Sequence, residues 1–89
     1  MAETPLALTA YPNPAGNQFR LTYDMPRAMS VRLNLYDAAG KLVKLVSNGQ
    51  NIQGHYYFDV NTSDLPNGIY SAVLKTNNGI SSVKVEVIH

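Results

Sequence analysis

His55, Asp59 and Ser63 are residue types that a hydrolase assembles into a nucleophilic triad, and they fall within one short stretch. That chemistry needs the hydroxyl beside the imidazole and the imidazole beside the carboxylate. Ser63 instead lies in Asn61-Thr62-Ser63-Asp64, a run whose hydroxyls and amides ordinarily satisfy the backbone of a turn. His55 belongs to an extended segment with its ring toward solvent, and His89, the only other histidine, is the last residue. Neither is assigned a catalytic or ligand role. Asp59, Asn61 and Asp64 group oxygen donors that could hold calcium, but their spacing departs from the dense calcium loop, and turn chemistry explains the same residues. Tyr36 and Tyr57 fall on outward positions and could form a sugar-stacking platform, although such tyrosines more often cover a sheet edge. No glycine-rich phosphate loop or pair of carboxylates on one element is present. The chain reads as non-catalytic, with no cofactor and no metal.

A chain of 89 residues builds one small domain, whose core must lie between two thin layers. Hydrophobic residues at 45% and charged residues at 15% indicate a chain that folds. Seven basic and six acidic residues are spread without a run of one sign, which argues against nucleic acid as a partner. The absence of cysteine removes disulfides and thiolate chemistry and leaves the compartment open. No apolar run reaches the roughly 20 residues of a membrane span, and the N-terminus lacks the pattern of a signal peptide. Met1 to Pro5 reads as an initiation end joined to a linker, with natural sequence expected upstream.

The elements that must position these residues are strands. Leu6 to Tyr11 is a short extended segment, halted by the shaped loop Pro12-Asn13-Pro14-Ala15-Gly16-Asn17. Phe19, Leu21, Tyr23 and Met25 alternate with polar residues, as do Val31, Leu33 and Leu35 in the stretch from Ser30 to Asp37. Asp37-Ala38-Ala39-Gly40 suits a type I turn closed by a left-handed glycine. Lys41 to Ser47 returns as the partner strand, with helix as the competing reading, and Asn48 to Asn51 is expected to turn. Tyr56, Phe58 and Val60 share one face of the next strand. Leu65-Pro66-Asn67-Gly68 is predicted as a tight turn exploiting positive φ at Asn67-Gly68, feeding a central strand Ile69 to Lys75 with Tyr70, Ala72 and Leu74 on one face. Asn78-Gly79 supports a hairpin into Ser81 to Ile88, with Val83, Val85 and Val87 inward. About seven short strands without helical periodicity predict an all-β, seven-stranded, immunoglobulin-like antiparallel β-sandwich, with a small closed barrel as the alternative.

Five features occur in order: Tyr11-Pro12-Asn13-Pro14, the hairpin from Leu35 to Val43, Gly54 before a strand reaching Asp59, Leu65 to Tyr70, and a valine-rich last strand carrying Lys84. Together they resemble the type A C-terminal sorting domain of the type IX secretion system of Bacteroidetes. The resemblance implies an immunoglobulin-like module attached to a larger exported cargo such as a protease, glycoside hydrolase or adhesin. It would be read by the outer-membrane translocon, then cut off by a sortase-like peptidase that attaches the cargo to surface lipopolysaccharide. The cargo would cross the periplasm and end on the cell surface or secreted. Residues 1–10 would form a linker and first short strand, and residues 11–89 the sorting domain. By position, the family's recognition features fall on Asn13, Pro14, Asp37, Gly40, Gly68, Tyr70, Lys84, Val85 and Val87. The family commonly ends in a basic residue, where this chain has His89. The edge of the last strand and the final hairpin are expected to present the contact surface. The alternative is an immunoglobulin-like accessory or carbohydrate-binding module retained in an extracellular enzyme.

Overall fold

The structure, a computed structural model, describes residues 6–89, so the linker expected at Met1 to Pro5 lies outside the described residues. Seven strands follow in order: β1 (Thr9–Tyr11), β2 (Gln18–Met25), β3 (Met29–Tyr36), β4 (Leu42–Asn51), β5 (Gly54–Asn61), β6 (Gly68–Thr76) and β7 (Gly79–Val87). They form two antiparallel sheets, β1-β2-β5 and β4-β3-β6-β7, with no helix among the described residues. This is the sandwich that the alternating pattern predicts. The chain changes sheet after β2, β4 and β5, which pairs sequence-distant β2 with β5 and the central strands β3 and β6 with each other.

Inward positions follow the period of two. Phe19, Leu21, Tyr23 and Met25 of β2 face Val31, Leu33 and Leu35 of β3, Ala72 and Leu74 of β6, and Val85 and Val87 of β7, all buried. Tyr23 stacks on Tyr56 at 5.5 Å and on Phe58 at 6.1 Å between centroids, while its hydroxyl donates to Asn51 Oδ1 at 2.7 Å. Burial pushes the Tyr23 phenol up to about 12 from its ordinary 10.0, with the neighbouring Tyr56 adding to the shift. A pKa raised on folding stabilises fully below the unfolded value and loses that stabilisation as pH rises through the folded one. Stability should therefore fall between pH 10 and about 12, and Tyr23→Phe should flatten that fall, as denaturant titrations at stepped alkaline pH would show.

Two tyrosines brace the connections between sheets. Tyr56 Oη donates to Ile52 O at 2.9 Å after β4, and Tyr70 Oη donates to Pro66 O at 2.6 Å before β6. The latter is the tyrosine corner of immunoglobulin-like sandwiches, in which a phenol near a strand's start ties back to the preceding bend.

The Asp37 turn forms as its residues require. Gly40 N–H donates to Asp37 O at 3.0 Å, and Asp37 Oδ1 accepts from the amides of Ala39 and Lys41, both at 2.9 Å. Gly40 closes the turn at φ 85°, where a β-carbon would be strained.

Other local expectations are corrected. Of the segment Leu6 to Tyr11, only Thr9–Tyr11 is strand. Lys41 to Ser47 is strand as expected, from Leu42 onward, but Asn48 to Asn51 does not turn: it continues β4 against Met29 to Arg32, because that end of β3 needs a partner. The bend is at Ile52-Gln53. Residues Leu65 to Gly68 do not form the tight turn either, and neither Asn67 nor Gly68 has positive φ. The turn lies earlier, with Leu65 N–H donating to Thr62 O at 3.0 Å. It is anchored by fully buried Thr62, whose hydroxyl donates to Gly16 O at 2.6 Å and whose amide donates to Asn17 O at 2.8 Å. The final hairpin turns on Asn77-Asn78, with Gly79 already paired to Thr76.

Candidate functional site

The groups weighed for catalysis are held apart by partners of their own. Ser63 Oγ donates to Asn61 Oδ1 at 2.6 Å, as its own amide does at 2.8 Å. His55 Nδ1 donates to Asp24 Oδ1 at 2.6 Å across β2 and β5. Asp59 forms a bidentate pair with Arg20 at 2.8 and 3.1 Å. No triad is assembled.

The oxygen donors weighed for calcium are likewise dispersed: Asp59 to Arg20, Asn61 to Ser63, and Asp64 to Lys44 at 3.2 Å. The Arg20 hydrogen bond holds the Asp59 carboxyl below its ordinary value, and Asp59 and then Tyr11 raise the guanidinium. Asp64 is lowered by Lys44 and its own backbone amide. Tyr36 and Tyr57 do not share a platform, since they project from the outer faces of different sheets. The Arg20 guanidinium also lies 4.3 Å over the Tyr57 ring.

The residues singled out for recognition behave differently: several that are distant in sequence converge on one end of the four-stranded sheet. Register places Leu42, Tyr36, Ser71 and Lys84 in one row across the outer face of β4, β3, β6 and β7. The Asp37 turn rises beside this row. The result is an open hollow of about 320 Å³ lined by Tyr36, Asp37, Gly40, Ile69, Ser71 and Lys84. A second hollow, on the other side of Ile69, runs from Asp37 to Gly68 and Tyr70. Three elements are therefore needed to bring Asp37, Gly40, Lys84 and Gly68 to one surface. Gly68 keeps space for a side chain, because a β-carbon there would meet nothing closer than Tyr70 Cε1 at 4.0 Å.

Asn13 lies on the other side of β7 and acts on its edge. Its Nδ2 donates to Lys84 O at 2.9 Å, and its Oδ1 accepts from Glu86 N–H at 3.0 Å, so the side-chain amide imitates a strand residue. Ala15 continues the ladder as a parallel bridge to Val87, with Ala15 N–H to Glu86 O at 2.7 Å and Ile88 N–H to Ala15 O at 2.9 Å. From Lys84 to Ile88, the edge expected to be offered to a partner is thus already paired within the chain. Asn13→Ala should lower stability by about 1–2 kcal/mol for the two lost bonds. Hydrogen exchange should report a faster-exchanging Glu86 amide, with the β6 amides unchanged.

Val85 and Val87 have no exposed surface and serve the core. Tyr70, also buried, serves the corner. The C-terminal residue is tied down as well: His89 N–H donates to Asn67 Oδ1 at 3.0 Å, and its ring Nε2 donates to Leu65 O at 2.7 Å. That docking explains what Asn67 does in place of turning the chain. Sequence reasoning named His89 and Thr62 without these contacts, because their partners are remote groups that no local pattern announces.

The described residues therefore form an immunoglobulin-like sandwich with shaped loops and a terminal strand paired within the chain. Comparison with family models matches residues 9–88 to the secretion system C-terminal sorting domain, the sorting domain of type IX secretion. The chain belongs to that family, which addresses proteins for export to the cell surface or beyond in Bacteroidetes and is not a catalytic one. Comparison with curated proteins finds no match.

Proposed function

We propose that this chain carries a covalently linked cargo through the type IX translocon across the outer membrane, and that a sortase-like peptidase then separates the two. The observation that carries this reading is the family match over residues 9–88. The convergence of Asp37, Gly40 and Lys84 around one hollow supports it, because recognition by shape needs a surface fixed by several strands. In this reading residues 1–10 supply the connection to the cargo and residues 11–89 the address. Asn13 acts by closing the β7 edge, with Pro14 joining it to the Ala15 bridge, Tyr70 by bracing the bend before β6, Gly68 by bordering the second hollow, and Val85 and Val87 by holding the last strand in place. The cargo passes through the periplasm on its way to the surface.

Intact-mass analysis of the exported cargo tests the proposal. The expected mass lacks residues 11–89. A cargo that is exported with those residues still attached would make the chain a retained accessory module.

A further inference from the structure

The outer faces of the two sheets differ in how their polar groups are satisfied. On the three-stranded sheet the charged side chains are paired across strands, Arg20 with Asp59 and Asp24 with His55. Thr9 and Thr22 share a hydroxyl hydrogen bond there. On the four-stranded sheet, Arg32 and Lys75 stand directly opposite one another in the β3–β6 register. Like charges so placed are destabilising, and among the described residues neither side chain has an ion-pair or hydrogen-bond partner.

Beside this cationic pair lies an apolar stretch. Leu45 is 74% exposed, and Leu42, Ile69 and Ile80 project from the same face. Between Leu45 and Val73, across the sheet, sits Asn34. It is only 7% exposed; its Nδ2 donates to the Tyr36 hydroxyl at 3.3 Å, while its Oδ1 is buried with no partner. A buried acceptor left unpaired carries a desolvation cost within the sheet itself.

We propose that the outer face of the four-stranded sheet is where the export machinery's receptor seats, which rests on the sorting function proposed above. The receptor is a protein surface with apolar side chains against Leu42 and Leu45 and carboxylates for Arg32 and Lys75. A second copy of the chain does not fit, because face-to-face pairing would bring Arg32, Lys75 and Lys84 against their own kind. An anionic lipid headgroup would satisfy the cations and leave the leucines uncovered. Strand addition at β7 is disfavoured by the Asn13 and Ala15 contacts along its edge.

The test uses the whole chain fused behind a reporter in a type IX-competent bacterium, with the reporter measured outside the cell and in the periplasm. Leu45→Lys and the double variant Arg32→Glu with Lys75→Glu should each reduce export about tenfold or more, the effect of losing a central interface contact. Tyr57→Ala, on the opposite sheet, should export normally. Arg32, Leu45 and Lys75 are all exposed, so the melting temperature of these variants should stay near the parent's and impaired folding cannot account for a loss of export. A photo-crosslinking amino acid at position 45 should yield a protease-sensitive adduct, and one at position 57 should not. If both variants export like the parent while a core variant does not, the docking face is wrong and the sorting function stands. A lipopolysaccharide adduct at position 45, or no adduct, also overturns the face. If the parent fusion stays in the periplasm, both readings fall.

Discussion

A chain truncated after Ser82 should fail to fold. Residues 83–89 contribute Val85 and Val87, both fully buried, and partly buried Val83, which packs against the same core. Burial of the first two alone is worth about 3–6 kcal/mol, against a net stability of about 4–13 kcal/mol for a domain of this size. The truncation also strips β6 of partners from Gly68 to Ala72 and leaves the amide of Ala15 without Glu86 O. Circular dichroism should lose the sheet signature, and amide resonances should collapse to the narrow range of an unfolded chain. Retained amide dispersion would show that β7 is dispensable to the core. Because folding is lost, failure of export after this deletion would not locate the recognition signal. Substitutions on exposed faces are needed for that.

Leu33→Ala should cost about 2–5 kcal/mol, the range for emptying a buried leucine site that cannot collapse. Leu33 has no exposed surface and lies on β3, between β4 and β6. Its register partners Ser47 and Leu74 are fixed by backbone ladders, so neighbours have little freedom to fill the space. Denaturant unfolding should show a lower midpoint with an unchanged slope. Leu45→Ala, at a site 74% exposed, should stay within about 0.5 kcal/mol of the parent. A loss below about 1 kcal/mol for Leu33→Ala would mean that the sandwich core repacks freely, contrary to the tight interior described here.

The strand interiors were legible because a half-buried strand must alternate, and Phe19 to Met25, Val31 to Leu35 and Val83 to Val87 do so without interruption. The Asp37 turn was legible because its hydrogen bonds are local. Asn48 to Asn51 misled because turn-forming residues are also tolerated on an edge strand whose neighbour requires pairing. The bend before β6 was displaced because its anchor, Thr62, is held by Gly16 and Asn17, 45 or more residues away in sequence.

The candidate site divides along the same line. Asp37, Gly40 and Lys84 could be named from ordered motifs, but their convergence depends on β6 separating β3 from β7, a matter of topology. Asn13 gave a loop signal, while its function as a false strand residue depends on Lys84 and Glu86, more than 70 positions away. Asn34 is one of the polar residues that alternate with Val31, Leu33 and Leu35, yet alternation gave no indication that it would be covered and left with an unpaired acceptor. The opposition of Arg32 and Lys75 becomes visible only once β3 and β6 are in register.

The central claim is that this module addresses a cargo to the type IX route. Its most direct test places the chain behind a reporter delivered to the periplasm and compares cells with and without a working type IX translocon. The account requires reporter outside competent cells and in the periplasm of deficient ones. Equal distribution of the reporter in the two strains would contradict it.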